Sequence, residues 1–69
     1  MTKQYWQGEP GLCDLDGQDF YGVMFDANVG GRWGNICQAC FTKYGCTLGT
    51  GSGQKYEQQY DGRWLKVAG

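Results

Sequence analysis

The chain has 69 residues, a formal net charge of −1, no histidine, four cysteines and an aromatic content of 16%. So short a chain cannot bury enough apolar surface to offset its conformational entropy without a staple, and near-neutral charge argues against gripping nucleic acid by bulk electrostatics. No apolar run approaches the ~20 residues of a membrane span, and residues 1–10 lack the apolar core of a secretory signal, so the expected setting is the cytoplasm, away from any membrane. Thiols stay reduced there, which favours a metal site over two disulfides as the use of Cys13, Cys37, Cys40 and Cys46.

In chain order, residues 1–11 read as an N-terminal arm ending in the turn signal Glu9-Pro10-Gly11, with Trp6 expected to pack over a small core. Residues 12–69 read as one domain. It opens on a knuckle, Cys13-Asp14-Leu15-Asp16-Gly17, whose glycine can take the positive φ of a tight metal-binding turn. Phe20 to Phe25 reads as a strand, Asp26-Ala27-Asn28 and Gly30-Gly31 as turn chemistry, and Arg32 to Ile36 as a returning strand that delivers Cys37 beside the knuckle.

From Cys37 to Tyr44 the period changes to that of a helix: Cys37, Cys40, Phe41 and Tyr44 share a face, and Gly45 ends it. That places both thiols at the positive helix end and sends Phe41 and Tyr44 into the core. The glycine-rich run Leu48 to Gln54 lacks the lysine of a phosphate loop and reads as a connector. Gln54 to Tyr60 and Arg63 to Ala68 then form a hairpin around the two-residue turn Asp61-Gly62. With that turn Tyr56 pairs with Val67; Tyr56, Leu65 and Val67 face the core, and Trp64 lies on the other face, either as a contact residue or under the arm.

Cys37-Gln38-Ala39-Cys40 has the spacing that lets two thiolates converge on one tetrahedral ion, and Cys13 supplies a third. The fourth ligand is Asp16, in register with Cys13 and followed by Gly17, or Cys46, the softer donor but beyond the helix end. Register selects Asp16. The expected ion is Zn2+, and the expected fold is a small metal-stabilised, β-rich α+β domain, zinc-ribbon or treble-clef-like, with two β-hairpins and one short helix.

Hydrolytic zinc needs an open position and a base, yet histidine is absent and nothing groups Asp14, Asp19 or Glu57 near the ion; a redox Cys-X-X-Cys normally sits in a βαβ unit. The expectation is therefore a non-enzymatic binding protein, monomeric, whose partner is a protein. Charge is uneven: residues 1–30 hold Lys3 against Glu9, Asp14, Asp16, Asp19 and Asp26, while residues 31–69 hold five cations against Glu57 and Asp61. Nucleic acid is accordingly the alternative partner. For either, the candidate contact residues are Arg32, Trp33, Lys55, Arg63, Trp64 and Lys66.

The layout resembles a family of very small zinc-ribbon proteins associated with bacteriophage genomes. The family pattern is a Cys-X-X-Cys-Gly knuckle, a tryptophan before a Cys-X-X-Cys-Phe knuckle, and a tail like Tyr44-Gly45, Leu48-Gly49-Thr50-Gly51, Gly53-Gln54, Tyr56-Glu57 and Asp61-Gly62-Arg63-Trp64. This chain carries Asp16 where the pattern has cysteine, and Cys46 where it has an aliphatic residue. The resemblance implies a four-ligand zinc site that includes Cys13, Cys37 and Cys40. It attaches no activity; the expected role, a phage-type accessory protein that modulates a host or phage protein in the host cytoplasm, follows from the binding reading above.

Overall fold

In a computed structural model, residues 3–69 are described. They form strands β1 (Val23–Val29) and β2 (Arg32–Ile36), helix α1 (Gln38–Lys43), and strands β3 (Gly53–Gln58) and β4 (Trp64–Ala68). The strands make one four-stranded sheet in the order β2-β1-β3-β4, with every neighbouring pair antiparallel. The small β-rich α+β class expected from sequence is observed, but the two hairpins are joined rather than separate. Val23 to Ala27 pair with Glu57 to Gly53, which puts β1 in the interior of the sheet.

The first hairpin turns on Gly30-Gly31, whose φ angles of 59° and 91° are those of a type I′ turn, and Asn28 Oδ1 accepts the Gly31 N–H at 2.8 Å. Asp26 to Asn28 are therefore strand, not turn as their composition suggests. The strand also starts later than expected. Phe20 to Val23 make a tight turn with Tyr21 at φ 54° and Gly22 at φ 85°, held by the Tyr21 N–H on Asp19 Oδ1 at 2.8 Å. The aspartate thus overrides the strand propensity of Phe20 and Tyr21.

The second hairpin corrects a register. The Gln59 N–H bonds to Arg63 O at 2.8 Å and the Gly62 N–H to Gln59 O at 2.9 Å, so the loop is Tyr60-Asp61-Gly62, with Gly62 left-handed at φ 88°. One extra loop residue moves every pair by one: Gln58 faces Trp64, Glu57 faces Leu65, and Tyr56 faces Lys66. A bulge at Lys55/Tyr56 then skips Val67, which is 43% exposed, and pairs Lys55 with Ala68. Asp61 stabilises the longer loop by accepting the Arg63 N–H at 3.0 Å and pairing with its Nε at 2.8 Å.

Both faces of β1 are covered. Met24 and Ala27 are fully buried and Phe25 nearly so. Phe25 stacks on Phe41 of α1 at 4.0 Å between centroids, and Ile36, opposite Phe25, is also fully buried. Residues paired across strands share a face, so Met24, Tyr56 and Lys66 form a row on the other side. Trp6 meets Tyr56 edge-on at 5.7 Å, and Phe20 meets Trp64 edge-on at 5.9 Å. The arm extends the sheet. Tyr5 bridges to Leu65, the Trp6 N–H bonds to Trp64 O, and the Lys66 N–H bonds to Gln4 O, which closes part of the β4 edge. Trp6 packs against the core as the sequence suggests.

Six residues of helix would be marginal alone. α1 ends in a Schellman arrangement, with the Cys46 N–H on Phe41 O, the Gly45 N–H on Thr42 O, and Gly45 at φ 64°. Phe41 packs against the core, whereas Tyr44 is half exposed with Lys43 over its ring. The expectation of a buried Tyr44 is corrected: the helix ends before its last turn can press that ring onto the sheet. Among the described residues no helix is long and apolar enough to cross a membrane.

Candidate metal centre

The knuckle folds back on itself through three hydrogen bonds: Cys13 N–H to Gln18 O, Gly17 N–H to Cys13 O, and Gln18 N–H to Asp16 Oδ1. Gly17 has φ 71°, which an L side chain would resist. The turn is closed by backbone and by one carboxylate oxygen, leaving Cys13 Sγ and Asp16 Oδ2 free to face the start of α1.

From the other side, β2 ends at Ile36 and the chain passes through Cys37, whose extended φ and ψ of −80° and 168° make it the helix N-cap. Cys40 lies one turn on. The Cys37 N–H points at Cys13 Sγ at 3.4 Å, the backbone-to-sulfur contact of a metal knuckle.

Four donor atoms converge here. Cys13 Sγ and Cys40 Sγ are 3.7 Å apart; Asp16 Oδ2 is 3.4 Å from Cys37 Sγ and 3.3 Å from Cys40 Sγ; all four lie within 4.8 Å of one another. Bonds of about 2.3 Å to sulfur and about 2.0 Å to oxygen, at tetrahedral angles, put two sulfurs about 3.8 Å apart and sulfur about 3.5 Å from oxygen. The named distances match the edges of that tetrahedron, so Cys13, Asp16, Cys37 and Cys40 could hold a metal ion. Donor chemistry fits a soft or borderline divalent ion.

Exposure divides the set. The three cysteines are buried and Asp16 is exposed. Without an ion, burial pushes the Cys40 thiol well above its ordinary range, and the Asp16 carboxylate beside it pushes in the same direction. Asp16 is instead held down at about 2, chiefly by the Gln18 N–H and then by the Cys13 thiol. A bound cation would invert the preference of the thiols, because a metal-bound sulfur is a thiolate.

Cys46 stands outside the cluster. It is the residue after Gly45 in the helix-terminating turn, partly buried and packed against the core, where such turns place an apolar contact. One further residue braces the site and carries no pattern in the sequence. Asp14 bonds twice to Asn35 of β2, its N–H donating to Asn35 O at 2.9 Å and its Oδ2 accepting the Asn35 N–H at 2.9 Å. A Cβ on Gly34 would sit 3.1 Å from that Oδ2, a tight approach to which the carboxylate would have to yield by a few tenths of an ångström.

The surface residues proposed from sequence fare unevenly. Arg32 and Trp33 are exposed on β2, Trp33 by 50%. Lys55 and Lys66 are half buried, Lys55 beside Glu57 at 3.7 Å. Arg63 is engaged by Asp61 and lies over the Tyr5 ring at 4.1 Å. Trp64 is 7% exposed, so it is a core residue and not a contact residue; the longer hairpin loop turns its ring onto Phe20. The six residues therefore do not form one continuous basic and aromatic surface.

Comparison with protein-family profiles, curated proteins and solved structures finds no match.

Proposed function

We propose that the chain is a zinc-binding module of zinc-ribbon or treble-clef type that works without catalysis, by docking on a protein partner. The observation that carries the metal reading is the convergence of Cys13, Asp16, Cys37 and Cys40 at tetrahedral-edge distances. A knuckle, a β-hairpin, and a Cys-X-X-Cys entering a helix are the parts of such a module, and they follow one another here. Zinc links residues far apart in the chain, so its binding contributes directly to folding.

The docking reading is supported by the end of the molecule nearest the knuckle. Leu15 is 44% exposed, and it lines, with Trp33 and Arg32, a cavity of about 210 Å3. Tryptophan and arginine are enriched in interfaces. The shared layout with small phage zinc-ribbon proteins suggests a host or phage protein as the partner. Zinc titration of reduced, metal-free protein, followed by aromatic circular dichroism, tests the first claim: stoichiometric gain of signal is expected, and a signal indifferent to zinc sinks it. Copurification tests the second. A partner retained by wild type should be lost with Trp33→Ala at unchanged zinc content, and equal retention would move the interface elsewhere.

A further inference from the structure

A cavity of about 500 Å3 with a predominantly apolar lining opens beside the candidate metal centre. Its walls come from the knuckle, the Tyr21 turn and the first turn of α1: Asp16, Phe20, Tyr21, Val23, Cys37 and Ala39. Two of those residues, Asp16 and Cys37, are also donors of the cluster. The volume falls in the range of small-molecule sites.

The donor nearest solvent is also the weakest. Asp16 is the exposed member of the set and its single oxygen donor, while the three sulfurs are buried. Thiophilic ions prefer thiolate to carboxylate. Asp16 also has somewhere to stay, because its Oδ1 already accepts the Gln18 N–H at 3.0 Å. Releasing Oδ2 would leave the carboxylate solvated and hydrogen-bonded, with the knuckle intact. Tyr21 forms part of the cavity wall from a left-handed backbone conformation, φ 54°, with its ring 81% exposed, and Asp19 holds that turn in place.

We propose that Asp16 is an exchangeable ligand, and that a small thiol carrying an aromatic or branched aliphatic group takes its place on the metal while burying that group in the adjoining cavity. This rests on the metal reading above. In the exchange the thiol S–H bond breaks and its proton passes to solvent. The sulfur lone pair forms the new bond to the metal as the Asp16 oxygen departs with its own pair. No electron is transferred; one monoanion replaces another on the metal, so the charge of its coordination sphere is unchanged, while the released Asp16 carboxylate stays beside it on the Gln18 N–H.

The test uses the cobalt(II)-loaded full chain, whose sulfur-to-cobalt charge-transfer absorption grows with each sulfur bound. Benzyl mercaptan and 2-mercaptoethanesulfonate are titrated in parallel. Both should add a fourth sulfur, with benzyl mercaptan half-saturating at a concentration lower by about tenfold or more, the effect of burying its ring. Asp16→Cys should bind cobalt through four sulfurs and respond to neither thiol. Ala39→Trp, which narrows the cavity from the helix side, should keep the three-sulfur, one-oxygen spectrum and lose the preference for benzyl mercaptan. A cysteine-containing octapeptide is the third ligand, and tighter binding of the peptide than of benzyl mercaptan would overturn the assignment to a small molecule. Failure of the wild type to bind cobalt overturns the metal reading and this proposal together. Cobalt held by three sulfurs and one oxygen, yet indifferent to both thiols, equally responsive to them, or stripped from the protein by them, overturns this proposal alone.

Discussion

At the knuckle, three buried cysteines and one exposed carboxylate meet; on the Met24 face of the sheet, Trp6 lies edge-on to Tyr56, and Phe20, which reaches back to the knuckle, lies edge-on to Trp64. The first region has donors in place of apolar bulk, and the second has no cluster of metal donors among the described residues. A single ion bound there would replace many dispersion contacts, because each metal–ligand bond is strong and directional. The aromatic cluster needs area instead: each edge-on pair adds about 0.5–1.5 kcal/mol beyond the burial of its rings. Between them runs β1, with Met24 on one face and Phe25 on the other, so the two regions share a strand and should fold together.

Breaking the metal site should have the largest effect. Structural zinc in small domains is associated with roughly 10–16 kcal/mol of apparent binding free energy, more than a core of this size supplies net. A strong chelator under reducing conditions, or Cys37→Ser, should therefore abolish the cooperative thermal transition and the near-ultraviolet aromatic signal, to which the Phe20–Trp64 pair contributes. Survival of that signal would show that the aromatic cluster stands alone.

Trp64→Ala comes second, with an expected loss of about 3–5 kcal/mol for a buried indole. Measured with saturating zinc, the denaturation midpoint should fall while X-ray absorption still reads three sulfurs and one light atom. A changed ligand count would mean that the aromatic cluster shapes the metal site directly.

The two regions also differ in how far their residues disclose them. The candidate ligand set is legible because it depends on local spacing: Cys13 and Asp16 flank one turn, Cys37 and Cys40 another, and Gly17 marks the positive φ that closes the knuckle. The aromatic cluster depends on register, where one residue decides everything. Asp61-Gly62 fits a two-residue turn as well as the last two positions of Tyr60-Asp61-Gly62, and the choice between them sets which residue each side chain on β4 faces. Pairing of β1 with β3 joins segments separated by the whole helix and connector, and it leaves no local mark. Glycine hides a similar constraint: a Cβ on Gly53 would fall 2.8 Å from Thr47 O, so the connector is closely packed at that point. Asp14 has no pattern at all, since its partner Asn35 is defined only once β2 is in place.

That brace gives a smaller effect that sharpens the comparison. Asp14→Ala removes the acceptor of the Asn35 N–H and should loosen zinc binding by about tenfold, as expected for a residue that holds a ligand turn in position. Asp14→Asn keeps an acceptor oxygen and should recover most of the loss, and Gly34→Ala, whose Cβ would meet Oδ2 at 3.1 Å, should have a smaller effect than Asp14→Ala because the carboxylate can yield by a few tenths of an ångström. Competition with a chromophoric chelator measures all three. If Asp14→Ala lowered the melting temperature with no change in zinc affinity, the clamp would serve the sheet and not the metal.

The smallest effect is expected at Cys46, and its smallness is informative. Thiolate is the better donor, so a fourth cysteine a few residues past Cys40 would ordinarily be first choice to complete a site with three others. Its position decides against that. The Schellman turn at Gly45 fixes the Cys46 N–H on Phe41 O, and its side chain packs on the core as an apolar residue of the helix-ending turn does. Valine is close in size and can make the same contact. Cys46→Val should thus shift stability by no more than about 0.5 kcal/mol and leave three sulfurs and one light atom at the metal. Asp16→Ala, in the same assay, should weaken zinc while the three sulfurs remain. Loss of a sulfur from the absorption spectrum of Cys46→Val would reverse these assignments and make Asp16 the bystander.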